Sequence, residues 1–194
     1  MIPPFYLIVS DAARAELLAD TGVRLMQLRY KGDDPATQID RALTACRRHG
    51  VDLVVNDHWQ AAIDAGAPWL HLGQGDLDHA DLGAIRRAGL RLGISTHDRA
   101  ELDRALALDP DYIALGPIWE TRLKKMPWRP QGLTKLARWK RRVGSLPLVA
   151  IGGITPDRAS DVFDTGADSI AVVSDVQFAA DPRARVAQWL RLTA

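Results

Sequence analysis

Cysteine is nearly absent from this chain. Cys46 stands alone in 194 residues, so no internal disulfide framework is possible and a reducing, cytoplasmic compartment is expected. The thiol lies in an amphipathic stretch, where packing explains it better than nucleophilic chemistry. Long apolar runs are missing, which excludes a membrane-spanning helix. Met1 to Phe5 has no basic segment or cleavage signature, so no signal peptide is expected. A single-sign charge excess is missing too. The net charge of +1 offers no whole-chain field for nucleic acid or an anionic membrane. The short basic run Lys135, Arg138, Lys140, Arg141 and Arg142 reads as the solvated face of a helix. Low-complexity tracts and linkers do not occur, and one domain over residues 1–194 is expected. Several chemistries are also unsupported. There is no Cys/His cluster at zinc spacing, no Gly-x-Ser-x-Gly elbow and no Walker loop. Gly73-Gln74-Gly75 lacks the third glycine of a dinucleotide fingerprint and sits too late in the chain for one.

What is present is repetition. Short apolar runs recur at 5–10, 25–30, 52–57, 69–73, 91–96, 112–116, 148–153 and 169–174, each five or six residues long and rich in Val, Ile and Leu. Such runs read as buried parallel strands. Helix-period segments separate them, for example 36–50, 99–108 and 156–166. Thr155-Pro156 reads as a cap followed by a first-turn proline, and Gly50, Gly66, Gly89 and Gly166 sit where helices should stop. Eight strand–helix units predict a compact (β/α)₈ TIM barrel, with a doubly wound open sheet as the alternative. Both folds work at the carboxyl ends of their strands.

Those ends carry the chemistry. In the second unit, alternation sets Gln27, Arg29 and Lys31 on one face and Met26, Leu28 and Tyr30 on the other. The polar set should point inward at the mouth. Two cations there need an anionic partner, either a diphosphate or a carboxylate on a neighbouring strand. Asp57 and Asp76 end adjacent strands and as a pair could share Mg²⁺, although each alone reads better as a helix cap. Ser95, Thr96 and His97 end the fifth run, where hydroxyls could meet a substrate or cap the next helix. His71 lies inside a strand and reads as a satisfied core histidine; His58 stays ambiguous. The sixth run opens a long loop, 118–132, with cations, Thr121, Trp119 and Trp128, which suits a lid over an anion or an oligomer contact. Gly152-Gly153 and Val173-Ser174 end the seventh and eighth runs, where barrels often hold a phosphate on backbone amides.

Read together, seven segments resemble the thiamine-phosphate synthase family, in order. They are 27–31, 55–57, 71–76, 93–97, 116–118, 150–154 and 171–174. The resemblance implies a barrel enzyme, a transferase joining a hydroxymethylpyrimidine diphosphate to a thiazole phosphate. It implies that Gln27, Arg29, Lys31 and Asn56 hold the diphosphate and that Asp57 and Asp76 bind Mg²⁺. Ser95 would contact the pyrimidine substrate, and Thr121 and Lys124 would belong to the closing loop. Gly153, Val173 and Ser174 would cradle the thiazole phosphate. Arg29, Lys31 and Lys124 would stabilise the departing charge. The chain departs from the family pattern at Leu123, Glu120 and His58. Related readings are a thiazole tautomerase on the same barrel, which Glu120-Thr121, His97 and 155–158 also resemble, and a non-catalytic thiazole-phosphate-binding barrel.

Overall fold

The computed structural model describes residues 2–121 and 128–193. Eight parallel strands close into a barrel in chain order, so the open-sheet alternative is excluded. The strands are β1 (Phe5–Val9), β2 (Leu25–Leu28), β3 (Asp52–Asn56), β4 (Trp69–Leu72), β5 (Arg91–Thr96), β6 (Tyr112–Leu115), β7 (Leu148–Ile151) and β8 (Ser169–Val172). Closure comes from β1 lying beside β8, with Leu7 opposite Val172. Around them run α1 (Ala12–Leu18), α2 (Pro35–Arg48), α3 (Trp59–Asp64), α4 (Leu82–Arg87), α5 (Arg99–Leu106), α6 (Gly132–Val143), α7 (Ala159–Asp164), α8 (Ser174–Gln177) and α9 (Pro182–Leu192). Several helices have only six residues, which is how so short a chain completes the barrel.

Strand alternation sorts side chains into two cores. Leu7, Val9, Met26, Leu28, Val55 and Ile113 face the helices. Tyr6, Ile8, Val54, Trp69, Tyr112, Val149 and Ala171 fill the barrel interior. Gly93 is paired opposite Tyr112 in the sheet. A Cβ on Gly93 would stand 2.0 Å from the Tyr112 ring, so its bare backbone makes room for that ring.

Asp11, Asp34, Asp81, Asp98 and Asp181 cap their helices by accepting from the amide three residues on. Caps of this kind contribute about 1 kcal/mol each. Thr155 does not join them. Its side chain makes no cap bond; Pro156–Arg158 forms a 3₁₀ turn closed by Arg158 N donating to Thr155 O (3.0 Å), and α7 follows. Gly50, Gly66, Gly89 and Gly166 do end helices, all at positive φ. Cys46 is buried, and burial pushes its thiol up to about 12, as expected of a packed side chain. Among the described residues no helix is long and apolar enough to cross a membrane.

Candidate active site

Most of the apolar runs overshoot the observed strands at their carboxyl ends. Arg29-Tyr30, Asp57, Gly73, Gly116, Gly152-Gly153 and Val173-Ser174 lie just beyond the last paired residues. There the ladder ends, with Arg29 N donating to Val9 O (2.8 Å) and Asp57 N to His71 O (3.0 Å) as last rungs, and the chain turns into loops. These residues form the rim of one mouth.

At the second strand Gln27 faces inward as alternation requires. It is buried, and its amide nitrogen donates to Tyr6 Oη at 2.7 Å. Arg29 and Lys31 differ from the expectation of inward cations. Strand β2 ends at Leu28, alternation ends with it, and both side chains are exposed on the rim. Lys31 pairs with Asp57. Among the described residues no carboxylate pairs with Arg29. Asn56, at the end of β3, is buried beneath them.

Asp57 is no helix cap. It adopts φ 65°, a conformation few non-glycine residues take, and His58 occupies the cap position of α3. Such strain, on the order of 1–3 kcal/mol, tends to persist at functional sites. Asp76 begins a 3₁₀ turn, and its Oδ2 accepts from the Gly73 amide at 3.1 Å. A Cβ on Gly73 would stand 2.9 Å from that oxygen, so Gly73 makes space for the carboxylate. Burial, and next the Asp57 carboxylate, hold the Asp76 carboxyl above the usual carboxylate range. Two carboxylates this close attract a cation, and hard oxygen donors suit Mg²⁺. Among the described residues no three His, Cys, Asp or Glu side chains gather into a larger metal cluster.

At the fifth strand Ser95 Oγ meets His71 Nε2 at 2.8 Å, and Gln74 Nε2 donates to the Ser95 carbonyl at 2.8 Å. His71 is satisfied at both nitrogens, because Nδ1 meets Tyr112 Oη at 2.8 Å, and burial lowers its pKa to about 4. Tyr112 Oη in turn meets Tyr6 Oη at 3.0 Å. Sequence reasoning missed Tyr6 and Tyr112, since a lone tyrosine in an apolar strand reads as packing. The available signal was their shared inward face with Gln27 and His71. Thr96 and His97 have structural partners: Thr96 Oγ1 donates to Ala114 O (2.9 Å) and accepts from Trp139 Nε1 (3.0 Å). His97 Nδ1 meets Glu101 Oε2 at 2.9 Å, and its ring stacks on Trp128. His58 Nε2 meets Tyr30 O at 3.2 Å.

Across the mouth, the chain after β6 lies over the end of β7. Ile118 N donates to Ile151 O (2.9 Å) and Trp119 N to Gly152 O (3.0 Å). Gly152 and Gly153 have φ of 100° and 68°. A Cβ on Gly152 would meet the Thr121 methyl at 3.3 Å, so Thr121 sits directly above that turn. Arg158 fastens it from below, donating to Gly153 O at 2.5 Å with its guanidinium over the Trp119 ring. Gly153 and Val173 each follow by two residues the last pair of β7 and β8, Ile151 and Ala171, and Ser174 opens α8. Lys124 and Leu123 lie outside the described residues.

A closed parallel barrel whose charged and glycine-rich strand ends share one mouth is the architecture of a (β/α)₈-barrel enzyme. Residues 5–176 match a family model described as thiamine monophosphate synthase, and the chain belongs to that family. A thiamine-phosphate synthase from Rhizobium etli is 56% identical, covering 100% of this chain and 96% of the relative. Another, from Neisseria meningitidis serogroup A, is 49% identical over 94% and 90%. A solved structure of thiamine phosphate pyrophosphorylase from Pyrococcus furiosus superposes with TM-score 0.85 at 26% identity, covering 97% of this chain and 94% of that one.

Proposed function

We propose that the chain acts as one barrel domain that couples 4-amino-2-methyl-5-hydroxymethylpyrimidine diphosphate to thiazole phosphate, giving thiamine phosphate and diphosphate. The observation that carries this reading is the Asp57–Asp76 carboxylate pair, set beside Lys31 and Arg29 on one rim. Family membership and the named relatives support it. Arg29, Lys31, Asn56 and Gln27 hold the diphosphate, with Gln27 one layer below the rim. Asp57 and Asp76 hold Mg²⁺, which when bound supplies positive charge beside the departing diphosphate. Ser95 meets the pyrimidine, while Gly153, Val173 and Ser174 receive the thiazole phosphate. Thr121 and Lys124 close over the phosphates.

The carbon–oxygen bond to diphosphate breaks first, and its electron pair leaves with the diphosphate. The pyrimidine ring delocalises the resulting positive charge on its exocyclic methylene. The thiazole nitrogen then donates its lone pair to that carbon. No general base is needed for the bond to form, so positioning and electrostatics carry the rate. Arg29, Lys31 and Lys124 stabilise the leaving charge. A tautomerase has no diphosphate to ionise and no use for the acidic pair. His97, which the tautomerase reading would enlist, is held by Glu101 and Trp128. A non-catalytic barrel leaves the acidic pair equally unexplained. Its single cysteine and net charge of +1 support a cytoplasmic protein that acts on small-molecule substrates, without nucleic acid or membrane as partner.

The test is mass spectrometry of the purified protein incubated with both phosphorylated substrates, with and without Mg²⁺. Thiamine phosphate formed only with Mg²⁺ is the expected result. Bound or isomerised thiazole phosphate without coupling overturns the synthase reading.

A further inference from the structure

A chain of hydrogen bonds crosses the barrel interior from β2 to β5. Gln27 Nε2 contacts Tyr6 Oη (2.7 Å), Tyr6 Oη contacts Tyr112 Oη (3.0 Å), and Tyr112 Oη contacts His71 Nδ1 (2.8 Å). His71 Nε2 contacts Ser95 Oγ (2.8 Å). All but Ser95 are buried; Ser95 is half-buried at the top.

The proton direction along this chain follows from donor chemistry. An amide nitrogen can only donate. Tyr6 accepts from Gln27, and because Tyr112 Oη is its one other partner among the described residues, its own buried hydrogen goes to Tyr112. Tyr112, accepting there, donates to His71 Nδ1. A buried imidazole flanked by hydroxyls is neutral and carries one N–H, which is then on Nε2. That N–H donates to Ser95 Oγ. Among the described residues Ser95 Oγ has no other side-chain partner, so its own hydrogen is left for the mouth.

We infer that Tyr6, Tyr112 and His71, oriented by one N–H of Gln27 whose second N–H stays available to the diphosphate, are positioning residues that keep the Ser95 hydrogen free to donate, so that the site favours a ligand presenting an acceptor atom at that point. The acceptor is a ring nitrogen of the heterocycle or an oxygen of the diphosphate. Either suits a donor, and the exposed cations Arg29 and Lys31 after β2 favour ligands rich in acceptors. This inference rests on the proposed reaction for its ligand but not for its internal geometry. A Ser95 that gave its hydrogen to His71 could only accept from a ligand. One that accepts from His71 keeps that hydrogen for the mouth, so an acceptor atom gains a hydrogen bond there.

The first measurement needs no turnover. In ligand-free protein labelled with ¹⁵N-histidine, two-bond ¹⁵N–¹H correlation at neutral pH should show His71 with Nε2 protonated and Nδ1 bare. The Nδ1–H tautomer would mean that Gln27 presents its carbonyl and the chain runs backwards, which overturns the inference; so does a mixture of tautomers. A failed synthase assay would leave this result standing, so the two claims fail separately.

The second measurement is a mutant cycle. Tyr112→Phe keeps the ring and removes the hydroxyl. It should lower kcat/KM for the pyrimidine diphosphate about tenfold, the worth of one ordered hydrogen bond. In a Ser95→Ala background it should cost nothing further, whereas independent additive losses would contradict the relay. Titration with inorganic diphosphate and with the unphosphorylated pyrimidine alcohol locates the acceptor. Weakening by Ser95→Ala of the alcohol alone assigns it to the ring, and of diphosphate alone to the phosphate. Equal binding of both by wild type and variant removes the donor role.

Discussion

Lys31 and Asp57 form an ion pair across the carboxyl ends of β2 and β3, joining a proposed diphosphate ligand to a proposed metal ligand. The lysine is more than half exposed, and such pairs contribute about 0–1 kcal/mol to stability. Their mutual attraction instead holds two opposite charges ready until substrate and metal divide them. Lys31→Ala should therefore leave the melting temperature nearly unchanged. It should raise KM for the pyrimidine diphosphate by roughly 10–100-fold, the value of a charged hydrogen bond. A variant with wild-type KM would remove Lys31 from the site.

Asp76 carries an energetic conflict. Burial and the Asp57 charge raise its carboxyl in the native state. As pH climbs through the carboxylate range, the unfolded chain ionises first, so this group subtracts stability at neutral pH. Asp76→Asn keeps an oxygen for the Gly73 amide and removes the charge. Without Mg²⁺, it should melt higher than wild type at neutral pH, and the gap should close well below the ordinary carboxylate value of 3.8. Turnover with Mg²⁺ should collapse. A variant that is both active and no more stable would show that the two carboxylates do not share an ion.

The barrel was legible because buried parallel strands announce themselves as short Val, Ile and Leu runs, and all eight runs coincide with strands. Their overshoot was informative in its own way. Sequence cannot say where a ladder stops, so Arg29, Asp57 and Gly153 read as strand when they belong to the rim. Asp57 and Asp76 were legible as a pair because strand order follows chain order. Tyr6 and Tyr112 were not. Their hydroxyls matter only because closure faces them across the interior, and single-strand periodicity carries no trace of that. Arg29 and Lys31 were placed on the correct unit but too deep, since alternation was extended past Leu28.

Gly153 tests the phosphate cradle. A Cβ there would stand 2.6 Å from Glu120 O and 2.7 Å from Trp119 Cβ, on a backbone at φ +68°. Gly153→Ala should cost about 1–3 kcal/mol through strain at positive φ. It should also push the Trp119–Thr121 segment away from the β7 end, raising KM for the thiazole phosphate more than for the pyrimidine diphosphate. Denaturant titration and separate KM values read the two effects. Equal changes in both constants would place the glycine outside the thiazole side.

His71 sets an acid limit on the fold. Burial lowers it to about 4, with Arg29 lowering it further and Asp57 opposing. Below about 4 both native and unfolded chains carry the proton, and above the ordinary 6.5 neither does. Between those values only the unfolded chain binds it, so stability must fall as pH drops through that window. Urea unfolding of wild type across this range should show the loss. His71→Gln, though less stable overall from the broken hydrogen-bond chain, should show a shallower slope because it has no proton to take up. Parallel slopes for the two proteins would mean that the native imidazole titrates near its ordinary value. A charged ring could no longer accept from Tyr112, and acid would then disorder the interior before it unfolds the barrel.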